Sequence, residues 1–306
     1  MKEDPEGYGR FSRHCGLLTL EEQQRISKTT VSIGGLGGIG GAVAMLCAKA
    51  GFGHLIICDR DQYELANVVE QMFATIDTVG HDKTVAAASE IRRHNPACRI
   101  TPIKLDIRTE ADAESIMNGA DIVVSAVDNP FTRILLGRAA EKVSLPFIVS
   151  ANLGWSIFYQ AKFPGEDLYE SRYTKLPGVQ FKNNILDLDD PCTRDIVQVD
   201  WDIWLYLLGG FSNEFNTMLL RGGAVFYPYM APPAFYAASF TANELIKLYM
   251  SIHGKHLSSD YYIFNLKSCC FLDSDILDSK ARYLLNIYME CGRDSLIKYC
   301  CSPFKL

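Results

Sequence analysis

Positive charge is not in excess in this 306-residue sequence: 36 Asp and Glu outnumber 30 Lys and Arg, for a net charge of −6. Without a basic stripe, nucleic acid is not expected as a partner. The 10 cysteines (15, 47, 58, 98, 192, 269, 270, 291, 300 and 301) include no C-x-x-C pair, so a zinc site of that spacing is excluded. No uninterrupted apolar run has membrane length. The most apolar late window, 231–250, contains Asn243, Glu244 and Lys247 and reads as a buried helix. Met1-Lys2-Glu3-Asp4-Pro5 is polar and lacks the apolar core of a secretory leader, so a cytoplasmic setting with reduced thiols is expected. Repeats and low-complexity tracts are absent. What is present, 48% hydrophobic and 22% charged residues, is the composition of one large globular domain or a domain with a sizeable excursion.

The informative stretch runs from Val31 to Gly41. Residues 30–33 are β-branched or small and read as a short buried strand. Gly35, Gly37 and Gly40 then form G-x-G-x-x-G ahead of a helical run over 41–50. In this pattern the first glycine permits a tight turn, the second lets phosphate approach the backbone, and the third lets helix and strand pack closely. The free N–H groups at the helix start favour an anion. A second strand, 54–58, ends in Asp59, nineteen residues after Gly40, where a carboxylate can accept from ribose hydroxyls. The spacing therefore predicts nucleotide binding.

Further along, Thr19 and Glu22 form a capping box that opens a first helix. An alanine-rich helix, 84–94, is stopped by Asn95-Pro96. Strands are expected at 99–105, 121–126 and 146–151, separated by a short helix at 111–118 and by another carrying Arg133. This alternation predicts an α/β fold with a doubly wound, mostly parallel sheet. Ligands bind such sheets where strand order reverses, between strands one and four, so the glycine loop and Asp128 are expected to face one crevice. From the residues alone, Asp128 either contacts a ligand or Mg²⁺, or caps the helix that begins near Pro130. After Trp155 the alternation ends: 155–163 reads as an edge or antiparallel strand, and 164–221 as irregular. A long helix at 234–252, a strand at 261–266 and a helical tail from 278 close the chain as antiparallel additions. Arg10 and Arg13 lie outside any core pattern. Cys192, between Pro191 and Thr193-Arg194, is either a plain loop thiol or a reactive one.

These pieces in order resemble the ThiF/HesA/MoeB superfamily, the adenylating enzymes of sulfur-carrier pathways and their ubiquitin-activating relatives. The resemblance rests on Arg10-Phe11-Ser12-Arg13, the glycine loop, the segment from Asp59 to Asn67, Gly80-His81-Asp82-Lys83, and Val127-Asp128-Asn129 with Arg133. It implies a Rossmann-like domain over 29–163, preceded by an N-terminal arm and helix (1–28). An excursion for acceptor recognition (164–233) and a helix, strand and helical tail completing the same domain (234–306) would come after it. It further implies ATP over Gly35, Gly37, Gly38 and Gly40, with Asp59 on the ribose. Asp61, Asn67, Lys83, Asp128 and Asn129 would lie around the nucleotide, with Asp128 placing Mg²⁺. Arg13 would reach into a neighbour's site across a homodimer. The implied substrate is the C-terminal carboxylate of a small ubiquitin-like or sulfur-carrier protein, or of a peptide, activated as an acyl-adenylate. No nucleic acid or membrane is implied.

Two departures from the family pattern stand out. Where the family carries Asn-x-Asn-Arg-Gln, this chain reads Asn67-Val68-Val69-Glu70-Gln71, with an acid in place of the arginine. Two like charges about 4 Å apart at an effective dielectric near 20 repel by roughly 4 kcal/mol. Glu70 must therefore turn away, belong to a site for a less anionic ligand, or mark a site that is not catalytic. The segment before the late helix, 222–233, also lacks the cysteine that acyl-transferring members use there, leaving Cys192 as the upstream candidate. The alternative to an enzyme is a non-catalytic pseudo-enzyme or the supporting subunit of a heterodimeric activating enzyme. Asp59 also suits the ribose of NAD, but Asn67 and Lys83 at the family spacing argue against a nicotinamide- or flavin-dependent oxidoreductase.

Overall fold

Thr19 opens the first helix, α1 (Leu20–Lys28), through the expected capping box. Its hydroxyl accepts from the Glu22 amide at 3.2 Å, and the Glu22 carboxylate accepts from the Thr19 amide at 2.8 Å. The chain is seen in a computed structural model that describes residues 8–174, 176, 178–183, 185–222, 228–250, 261–266, 268 and 270–301. After α1 come β1 (Thr30–Gly34), α2 (Gly38–Ala50), β2 (His54–Asp59), α3 (Lys83–His94) and β3 (Arg99–Lys104). They are followed by α4 (Glu110–Ser115), β4 (Ile122–Ser125), α5 (Pro130–Lys142) and β5 (Phe147–Leu153). The sequence places all of these elements, with ends displaced by a few residues.

The second half contributes β6 (Ser156–Lys162), a short hairpin of β7 (Phe181–Lys182) and β8 (Ile185–Leu186), and the helices α6 (Pro191–Gly209), α7 (Asn213–Leu220) and α8 (Ala231–Lys247). Strands β9 (Tyr261–Asn265) and β10 (Cys270–Phe271) and helix α9 (Ser274–Cys301) complete the described chain. One sheet of eight described strands has the order β10-β9-β6-β5-β4-β1-β2-β3. Strands β5, β4, β1, β2 and β3 are parallel and the other three are antiparallel, so the mostly parallel sheet with antiparallel C-terminal additions is what the chain forms. Ile33 lies between Ile57 and Val124, and β1 is buried along its whole length, as a parallel strand covered on both faces must be. One apolar layer joins the sheet to α1, α2, α3 and α8, and the other joins it to α4 to α7 and α9.

Strand β6 takes the antiparallel of the two forms expected for 155–163, with β5 on one side and β9 on the other. One expectation about the second half is corrected. The stretch 164–221 is not irregular, because it holds α6 and α7. Helix α6 buries residues all round its circumference, including Val197, Trp201, Ile203, Trp204 and Leu205, so it has no polar stripe to announce helical period. Its start is built from local capping chemistry. Asp190 accepts from the Thr193 amide at 2.7 Å and Pro191 fills the first turn. The late helix begins at Ala231, because Pro232 and Pro233 fit a first turn, and it ends at Lys247. Residues 251–260, on which its expected end falls, lie outside the described residues. The tail breaks at Gly292, where φ is 79°.

Removing the cap of α6 tests this assignment. Asp190→Ala is expected to cost about 1 kcal/mol, read as a lower urea midpoint with unchanged slope.

Candidate functional site

The glycine loop is pinned between two strand ends. The Gly35 amide donates to the Cys58 carbonyl at 2.8 Å, and φ at Gly35 is +88°. A Cβ there would lie 2.8 Å from the Ala126 carbonyl oxygen, so strand β4's exit and the loop leave room for hydrogen only. At Gly40 a Cβ would meet the Gly35 carbonyl oxygen at 1.8 Å, which makes that glycine a packing residue within the loop. Asp59, at the end of β2, accepts from the Leu36 amide at 2.6 Å and from the Asp61 amide at 2.8 Å. One carboxylate thus ties the glycine loop to the turn after β2. Burial pushes its pKa above the usual carboxylate range, against the pull of Lys83 and the two amides.

Gly35, Gly37, Gly38, Asp59, Asp61, Lys83, Asp128 and Asn129 line one cavity at the carboxyl ends of β1, β2 and β4. The buried Lys83 opens α3. Its Nζ lies 3.8 Å from Asp61 Oδ2 and 5.8 Å from the centre of the Tyr63 ring. Asp128 does not cap α5. Asn129 does, accepting from the Phe131 and Thr132 amides, which leaves Asp128 exposed with no hydrogen bond among the described residues. No group of three His, Cys, Asp or Glu suited to a metal occurs among the described residues.

The other candidates lie elsewhere. Asn67 accepts from the Glu64 amide at 2.9 Å, capping a short turn, and does not line the cavity. Arg13 is exposed on a 3₁₀ segment, Gly9–His14, fastened at the far end of α2 and α3: Phe11 lies against Gly51, and Arg10 donates to Asn95 at 2.8 Å. A 13-residue helix is roughly 20 Å long, so Arg13 does not reach the cavity of its own chain. Cys192 is an exposed residue in the first turn of α6, not on a loop, and is also outside the cavity.

Glu70 turns inward. Its Oε2 lies 2.6 Å from where a Cβ on Gly38 would be, at the first residue of α2. The carboxylate therefore lies beside the first residue of α2, the end of a helix whose dipole favours negative charge. Oε1 accepts from Gln71 Nε2 at 2.6 Å. Burial lifts the Glu70 pKa above the ordinary range, opposed first by the Gln71 bond and then by Lys83 and Asn67.

Sequence reasoning missed the opposite wall of the cavity, made by Asn152 on β5 and Trp201 on α6, and gave no role to Arg133. The Arg133 guanidinium stacks 4.5 Å from the Trp201 ring centre and donates to the Val127 carbonyl. A polar residue at the carboxyl end of a buried strand was the available signal for Asn152. Trp201 had none, lying in a helix that the sequence hides.

The Glu70 pKa gives a sign for pH dependence. A carboxyl held protonated more firmly in the folded chain loses stability as pH rises from the ordinary glutamate range through its raised value. Glu70→Gln is therefore expected to gain stability over the wild type at pH 8 and less at pH 4, measured by urea unfolding at both. An equal difference at the two pH values would show that the carboxylate is not held there.

Comparison with known proteins bears on the family and the fold. Adenylyltransferase and sulfurtransferase MOCS3 of Arabidopsis thaliana is 32% identical over 152 residues, covering 49% of this chain and 32% of that protein. Sulfur carrier protein ThiS adenylyltransferase of Escherichia coli strain K12 is 29% identical over 148 residues, covering 48% and 59%. The chain thus spans between a third and three-fifths of the length of these relatives. Among solved structures, E. coli MccB with AMPCPP and MccA superposes with a TM-score of 0.67 at 20% identity, covering 89% of this chain and 73% of that one. The ThiF family profile matches residues 11–278, and the chain belongs to the ThiF family.

Proposed function

We propose that this chain is an ATP-dependent adenylyltransferase. It activates the C-terminal carboxylate of a sulfur-carrier protein, a small ubiquitin-like protein or a peptide as an acyl-adenylate. The observation that carries the reading is the meeting of the glycine loop, Asp59, Lys83 and Asp128 around one cavity where the strand order reverses. The names of the relatives, adenylyltransferases for sulfur carriers among them, support the class of reaction.

In this reading the amides at the start of α2 receive phosphate, Asp59 accepts from the ribose, and Lys83 lies beside the polyphosphate. An acceptor carboxylate oxygen attacks the α-phosphorus, the bond to the bridging oxygen breaks, and pyrophosphate leaves with that electron pair. Charge builds on the phosphoryl oxygens, and Lys83 offsets it from a fixed, shielded position. Asp59, Asp61, Asp106 and Asp128 make the rim rich in acids. Such a donor set suits Mg²⁺ held by one carboxylate, Asp128, together with nucleotide phosphates. The ion, when bound, supplies positive charge to the phosphates.

Arg13 enters this scheme from a second copy in a homodimer, since its own chain keeps it at the far end of α2. The excursion 164–233 forms the acceptor-recognition region, with α6 bringing Trp201 to the cavity wall. A cytoplasmic setting fits the free thiols of Cys15, Cys47, Cys58, Cys98, Cys192, Cys291, Cys300 and Cys301. Among the described residues, no helix is long and apolar enough to cross a membrane.

A second reading, a non-catalytic member or the supporting half of a heterodimer, is favoured by the Glu70 carboxyl lying beside the start of α2, next to Gly38. Calorimetry with ATP·Mg²⁺ separates the two: no binding to the wild type, with binding gained in Glu70→Arg, selects the second. On the first reading, Lys83→Met lowers ATP–pyrophosphate exchange by about 10²- to 10³-fold in the presence of a carrier protein ending in a free carboxylate. Mixing the Arg13→Ala and Lys83→Met proteins is then expected to recover part of the exchange, because a mixed dimer rebuilds one intact site.

A further inference from the structure

We propose that Arg133, Trp201 and Asn152 form the seat for the substrate's carboxylate, a subsite separate from the nucleotide's own contacts. The proposal rests on the adenylation reading and adds where the acceptor is held.

Arg133 is 1% exposed, the most buried arginine described. Its Nη2 donates to the Val127 carbonyl, but Nε and Nη1 have no hydrogen-bond partner, and no carboxylate lies within ion-pair distance among the described residues. The other arginines shielded in this half of the molecule are paired. Arg138 lies 2.7 Å from Glu170 and 3.2 Å from Glu110, and Arg172 lies 3.2 Å from Asp200. Taking a cation out of water without a counter-charge is costly, so an unpaired buried guanidinium in a cavity wall points to an anion that completes it.

Two more groups in the same wall have the same deficit. Trp201 Nε1 and Asn152 Nδ2 are buried without partners among the described residues. All of these unpartnered atoms are donors. Their complement is a group that only accepts, and an ionised carboxylate is such a group. A phosphate is another, but the nucleotide's phosphates already have the amides of the glycine loop and Lys83. Strand order separates the two sets. Asn152 is on β5, three strands from Asp59 on β2, or roughly 14 Å at the usual strand spacing, with the glycine loop and Asp128 in between. A ribose on Asp59 therefore leaves the β5 end of the cavity for the acyl group.

The seat would hold the carboxylate ionised, and so nucleophilic, beside the α-phosphorus. After transfer the same donors would keep the acyl oxygen. They would also reject a terminus capped as an amide, whose N–H₂ adds donors where the wall already has a surplus.

Calorimetry on the full chain tests this with two probes: AMP, and 5′-O-(N-glycylsulfamoyl)adenosine, a non-hydrolysable stand-in for an acyl-adenylate. Arg133→Met is expected to weaken the analogue by about tenfold or more and to leave AMP nearly unchanged. Trp201→Phe, which keeps the ring and deletes the N–H, should weaken the analogue alone, and Arg133→Lys supplies the arginine test should Arg133→Met fail to fold. Equal losses for both probes would assign Arg133 to the nucleotide phosphate and overturn the seat. Unchanged analogue affinity in all variants would overturn it too, leaving the adenylation reading intact. Failure of the wild type to bind either probe would instead remove the adenylation reading, and the seat with it.

Discussion

The cavity depends on one carboxylate that is asked to do structural work before any ligand arrives. Asp59 accepts from the amides of Leu36 and Asp61, and so fixes the glycine loop relative to the end of β2. The loop has no slack of its own, since Gly35 is pressed against the exit of β4 and Gly40 against Gly35. The free amides of α2 consequently stand in a fixed place at the point where the strands diverge. Burial raises the pKa of Asp59, while the two amides and the neighbouring Lys83 stabilise its ionised form. The same side chain thus braces the loop and, on the proposed reading, also accepts from a sugar hydroxyl.

Charge is distributed unevenly along the cavity. At the α2 end, the Glu70 carboxyl lies beside Gly38, where burial raises its pKa. At the β5 end, Arg133 is a cation with no acid beside it among the described residues. Lys83 stands between acids: Asp61 is 3.8 Å away, and both Asp59 and Glu70 feel its charge. In a low-dielectric cleft such opposed charges matter more than on the surface.

The first half of the chain was legible because its signals are local. Alternating strands and helices, the capping box at Thr19, and glycines at fixed spacing each act over a few residues and agree with one another. The lining of the candidate cavity was legible in the same measure: Asp59, Lys83 and Asp128 all lie at the ends of readable elements. Asn67 lies outside the cavity lining because its short amide caps a turn, a use the spacing does not distinguish from facing a ligand. The direction of Glu70 was open, since no spacing rule says which way a side chain turns. Helix α6 was hidden by its own burial, and Trp201 with it.

Strand β6 carries a further consequence. Both of its edges are occupied, by β5 over seven residue pairs and by β9 over five. Strand β9 arrives from beyond 251–260, late in the chain, and is the only described cover on that side. Loss of β9 would strip β6 to an open ribbon of unpaired amides and carbonyls backed by apolar side chains. Such a ribbon is a template for joining other copies edge to edge, so an intact C-terminal segment guards this protein against aggregation.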